Sequence, residues 1–148
     1  MDLREALMRA VPETLGLFGA VPEFSGEMLQ SGLTSAHPVN VLVGITQGGR
    51  GNVVLGMSWK SALALVGGMM GGAALGVLDD LGKSALAELG NMLVGSGVRA
   101  VTTPPGLDIA PSTVVLGERV FLIVSRVPSR VLQFRTDGGP FVVRFALW

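Results

Sequence analysis

Apolar residues near the start of the chain, Leu3, Ala6, Leu7, Ala10, Val11 and Leu15, recur at helical spacing and predict a helix over 3–18. Pro12 falls inside it, where a missing N–H predicts a kink or a restart. Residues 21–38 hold Pro22, Gly26, Gly32 and Pro38 with no sustained period, and are read as mostly loop. The runs VNVLVGI (39–45) and NVVLGMS (52–58) flank the glycine-rich QGGRG and predict a β-hairpin. A helix is expected over 59–70, broken by GGAALG. The next helix begins at the Asp79-Asp80 pair, favourable at a helix N-terminus, and runs to about Ala100, where Thr102, Thr103, Pro104 and Pro105 end it. GLDIAPST is read as a loop. Strands are expected over 119–127, 131–135 and 141–147, the last two joined by the turn Asp137 to Gly139. Helices and hairpins without strict alternation predict an α+β fold (an α/β sandwich), a mainly antiparallel sheet carrying about three helices.

The helix after Asp79 has two unlike faces. With Ser84 at zero and a turn of about 100° per residue, Glu88, Asn91 and Gly95 fall at about 40°, −20° and 20°. Leu86, Leu89 and Leu93 fall on the opposite side and are expected in the core. Glu88 and Asn91 therefore project together from the open face, with Cβ atoms roughly 5–6 Å apart at that spacing. Asparagine is a mediocre residue in mid-helix, so its presence there beside a glycine calls for a use. Gly95 leaves room for another backbone to approach. An acid can pair with a partner's lysine, and an amide can hold a water by donating and accepting. That pair suits phosphoryl hydrolysis, which needs positioning and charge stabilisation more than new covalent chemistry.

Composition narrows the choice. The chain has 148 residues, one domain's worth, with 49% hydrophobic and 15% charged residues. Lys+Arg and Asp+Glu are 11 each, and this balance argues against nucleic-acid binding. No cysteine is present, which removes thiol chemistry, disulfides and Cys-ligated zinc. His37 is the sole histidine and precedes Pro38 in a loop, so it is read as a surface residue or a local hydrogen-bond partner. Asp2 and Glu5 stand where a signal peptide would be basic, and a cytoplasmic protein is expected. The uncharged stretch 61–78 is the one candidate span. At 18 residues with five glycines it is better read as a buried helix and a glycine-rich loop.

SALAELGNMLVG resembles the signature helix of the CheC/CheX/FliY chemotaxis phosphatases, Asp/Ser-x3-Glu-x2-Asn, with Ser84, Glu88 and Asn91 in the three places. VLVGITQGGRGNVVLGMS, SALALVGGMMGG and LDIAPSTVVLGERV are similar to successive landmarks of the CheX branch, with Pro111 as the natural match to the family's proline and Pro104 and Pro105 as its competitors. The resemblance covers roughly 39–148 and implies a single CheX-like domain over 1–148. It implies a cytoplasmic hydrolase that removes the aspartyl phosphate of a CheY-type response regulator in two-component signalling. Glu88 would contact the regulator's lysine and Asn91 would orient the attacking water. Ser84, Ala87 and Gly95 would form the docking surface. Mg²⁺ would be bound by the regulator, with no metal or other cofactor in this chain. A homodimer joined through sheet edges is implied, with VFLIV and FVVRFALW as candidate edges. The alternative is a non-catalytic module of the same fold that binds a regulator or sits in a motor or signalling complex. Neither nucleic acid nor membrane is an expected partner.

Overall fold

In the computed structural model, residues 1–32, 34–118, 121–122 and 127–148 are described. Helix α1 (Leu3–Gly16) opens on Asp2, whose carboxylate accepts the Glu5 N–H at 2.8 Å. Pro12 sits on its exposed side, and the helix runs through it without restarting. Helix α2 (Trp59–Met69) is capped by Ser58, and α3 (Asp80–Ala100) by Asp79, which accepts from Gly82 N–H at 2.8 Å. All three lie close to their expected bounds. The stretch 61–78 leaves the helix after Met69, and no helix among the described residues is long and apolar enough to cross a membrane.

The strands are β1 (Glu23–Gln30), β2 (Thr34–Ser35), β3 (Val39–Gln47), β4 (Gly51–Met57), β5 (Asp108–Ile109), β6 (Thr113–Leu116), β7 (Phe121–Leu122), β8 (Ser129–Thr136) and β9 (Gly139–Leu147). Among the described residues they form an antiparallel sheet of seven strands, in the order β1-β8-β9-β4-β3-β5, with β6 beside β5 on the free edge of β3. A separate pair joins β2 to β7. Both expected hairpins are present, β3–β4 and β8–β9.

Two segments read as loop are strands. Over 21–38, β1 lies at the sheet edge, paired with β8 along its length except at Ser25. Its residues are exposed or half-exposed throughout, so no alternation of apolar and polar positions marks it in the sequence. A register shift between Phe24 and Gly26 disturbs the period further. The segment GLDIAPST contributes β5 and the first residue of β6, both too short to show a pattern of their own and held by pairing to β3. The strand expected over 119–127 lies largely outside the described residues. FVVRFALW also departs from expectation. It forms most of β9, which pairs with β8 on one side and β4 on the other, so it offers no free edge for a second subunit.

One face of the sheet carries Val39, Val41 and Val43 with Val53, Leu55, Leu132, Phe141 and Val143, all buried in one cluster with the apolar faces of the three helices. The α1–α3 contact is close, because a Cβ on Gly97 would lie 2.9 Å from Leu7 Cδ2. At the other end of the sheet Glu27 of β1 is held by Arg4 of α1 at 2.8 Å and by Arg130 of β8 at 3.0 Å. Hydrogen bonds from Arg4 and then Arg130 lower the Glu27 pKa to about 2. A depressed carboxylate stabilises the fold above its unfolded value of 4.5, and that contribution is lost as pH falls toward 2. Glu27→Gln should therefore flatten the fall of Tm between these values, as thermal melts across pH 2–5 would record. An identical slope in the variant would refute the linkage.

Candidate functional site

Helix α3 divides as its period predicts. Leu86, Leu89 and Leu93 are each 0% exposed. On the other side Ser84 and Glu88 are exposed, while Ala87 and Asn91 are half-buried. Glu88 makes no ion pair among the described residues, so its carboxylate faces solvent without an internal cation. Lys83 immediately precedes Ser84, and its Nζ lies 3.9 Å from Asp80 Oδ1.

Gly95 departs from the expected stripe. It is buried, and the space above it is taken by this chain's own side chains. A Cβ there would lie 3.1 Å from Arg99 Nη1 and 3.8 Å from Ile109 Cδ1. The helix wheel places Gly95 beside Ser84 in projection, but the β5 segment covers the C-terminal half of that stripe. The open part is Ser84, Ala87, Glu88 and the edge of Asn91.

Asn91 is held by a contact that sequence reasoning did not find. Its Oδ1 accepts the Ser112 hydroxyl at 2.7 Å and the Ser112 main-chain N–H at 3.3 Å. Between β5 and β6 the regular ladder with β3 is interrupted at residues 110–112, though Ala110 N–H still donates to Gly44 O of β3 at 2.8 Å. Pro111 is exposed at the crest of this arc, and Ser112 turns inward to Asn91. The approach needs Gly90, because a Cβ there would fall 2.7 Å from Ser112 Oγ and 2.6 Å from Val41 Cγ1. A glycine among Leu86, Leu89 and Leu93 was the sequence signal for such a close approach. Nothing in the sequence said that residue 112 makes it.

His37 lies elsewhere. It stands against Gly56, on the sheet face opposite the helix-covered one, in a cleft of about 400 Å³ with Ser25, Gln133 and Arg135. Burial, and then the charge of Arg144, lower its pKa, which favours the neutral ring. Among the described residues no group of three or more His, Asp or Glu side chains is placed to hold a metal ion.

An open helix stripe with one acid and one anchored amide lies on an α+β domain built on an antiparallel sheet. The chain belongs to the chemotaxis phosphatase CheX family, which it matches over residues 39–134. No curated protein matches its sequence. Among solved structures it is similar to the chemotaxis protein CheX of Desulfovibrio desulfuricans, at 22% identity and a TM-score of 0.87, with all of both chains covered. It is similar to CheX of Vibrio vulnificus at 15% identity and 0.88, again over both whole chains. It also resembles the CheX chain of a CheX–CheY–BeF3–Mg²⁺ complex from Borrelia burgdorferi, at 23% identity and 0.77, covering 99% of this chain and 97% of that one. At these identities the structures establish the fold, three helices on an antiparallel sheet.

Proposed function

We propose that this chain, acting as one domain over 1–148, is a phosphatase that hydrolyses the aspartyl phosphate of a CheY-type response regulator in the cytoplasm. The observation that carries the reading is the pairing of a solvent-facing Glu88 with an anchored Asn91 one turn on, in a helix that resembles the family's signature and lies within the residues the family model matches. Glu88 reaches outward to the regulator's lysine. Asn91 enters beside the acyl phosphate and holds a water in line with the scissile P–O bond. Water oxygen bonds to phosphorus, the aspartate leaves as its carboxylate, and inorganic phosphate and a proton are released. Ser84 and Ala87 surround the pair as docking surface. Gly95 serves by letting Arg99 and Ile109 close over the helix, beneath rather than within that surface. The Mg²⁺ belongs to the regulator, in keeping with the CheY–BeF3–Mg²⁺ composition of the Borrelia complex. A homodimer remains part of the proposal, with β1 as the fully formed outer strand of the sheet.

The test is the lifetime of each phosphorylated, Mg²⁺-loaded CheY-type regulator of the host, with and without this chain. One lifetime should shorten, and the Glu88→Ala/Asn91→Ala variant should abolish the effect. Binding with no change in any lifetime would establish a non-catalytic regulator-binding module instead. Glu88→Lys should weaken the complex by about a hundredfold or more, because like charges brought together in an interface cost several kcal/mol. Its Tm should stay within about 2 °C of wild type, since an exposed site without a partner contributes little to folding. A titration against the regulator and a thermal melt read the two effects separately.

A further inference from the structure

The Asn91 amide has a fixed polarity. A main-chain N–H can only donate, so the atom facing Ser112 N must be the carbonyl oxygen; a flipped amide would oppose donor to donor. The same oxygen takes the Ser112 hydroxyl at 2.7 Å. An amide oxygen offers two lone pairs, and Ser112 occupies both. Nδ2 makes no hydrogen bond among the described residues, and it is the end of the amide left for a ligand.

We propose that Ser112 is a positioning residue for the phosphatase reaction, holding Asn91 with Nδ2 outward so that the amide serves the attacking water as a donor only. This rests on the reading of the site as a phosphatase. The water accepts from Nδ2 through one lone pair and directs the other at phosphorus. Its protons point away from Asn91, and the one it loses passes to the released phosphate or to solvent. The amide therefore sets the position of the nucleophile without competing for its reactive electrons. Gly90 belongs to the same device, because only a residue without a side chain lets the Ser112 hydroxyl come this close.

The experiment compares wild type, Ser112→Ala and Ser112→Thr. In Ser112→Ala the main-chain N–H still donates but the hydroxyl is gone. The expected result is a fall of about tenfold in the maximal rate of regulator dephosphorylation, with KM unchanged, since loosened positioning acts on the reacting geometry. Ser112→Thr keeps a hydroxyl and should recover most of the rate. The side-chain NH2 signals of Asn91 in a ¹⁵N correlation spectrum of the protein alone should shift in Ser112→Ala and stay near wild type in Ser112→Thr. If wild type shortens the lifetime and Ser112→Ala matches or exceeds it, the assignment of Ser112 is overturned and the phosphatase reading stands. If Thr restores the NH2 signals without restoring the rate, the lock exists but is not what positions the water, and the proposal fails. If wild type shortens no lifetime, the phosphatase reading fails and takes this role with it, and the spectrum then reports only a structural contact.

Discussion

Asn91→Ala is expected to slow regulator dephosphorylation about a hundredfold at saturation, the scale of loss when a positioned reactant is released. The complex with a beryllofluoride-loaded regulator, whose BeF3 group stands in for the phosphoryl, should form nearly as well as before. On the proposed reading the split arises because Glu88 would still reach the regulator while the water would lose its holder. Stability should fall modestly, by about 1 kcal/mol, because the half-buried Ser112 N–H and O–H lose their acceptor. The decisive comparison is maximal rate against affinity. A variant that loses binding and rate in equal measure would mean that Asn91 is an anchor for the partner and not a participant in the chemistry.

Gly90→Ala is the second large effect, and it joins packing to chemistry. The new methyl would sit 2.6 Å from Val41 Cγ1 and 2.7 Å from Ser112 Oγ, distances that force the sheet or the 110–112 arc to move. Overpacking of this kind costs about 1–3 kcal/mol. The gain in helix propensity on replacing glycine by alanine returns at most about 1 kcal/mol. A net loss near 1–2 kcal/mol would lower Tm by roughly 2–8 °C. The arc is the softer neighbour, so Ser112 should retreat and dephosphorylation should slow by about tenfold as Asn91 loses its clamp. Gly95→Ala provides the contrast. Its methyl would meet only the end of Arg99 at 3.1 Å and Ile109 at 3.8 Å, a flexible side chain and an ordinary contact. Its Tm should stay within about 2 °C of wild type, and its rate should be close to normal. Equal losses in the two variants would show that any side chain on α3 is disruptive and that the Ser112 contact has no special place.

What the sequence revealed follows the reach of each interaction. Helix α3 was legible from end to end because its signals are local. Asp79 caps it, three leucines recur at its period, and threonines and prolines follow it. The β3–β4 and β8–β9 hairpins were legible for the same reason, each being two runs around a glycine turn. Strand β1 was not, because its backbone is paired by β8 about 100 residues later while its own side chains stay largely in solvent. β5 and β6 exist only as guests on the edge of β3. The site divides along the same line. Glu88 and Asn91 could be placed from the turn of a single helix. The partner of Asn91 is 21 residues away, beyond a loop whose course is set by the sheet. Gly95 was misjudged because a helix wheel knows the direction of a residue and not what later strands lay over it.

One consequence of α3 concerns motion. Asn91 lies in mid-helix between Leu89 and Leu93, both fully enclosed. Its main-chain amide can exchange with solvent only when the surrounding core opens, so its protection should approach that of global unfolding. Glu88 and Asn91 thus ride on a helix seated in the core and not on a lid. On the proposed phosphatase reading, no opening step of this chain would have to precede hydrolysis.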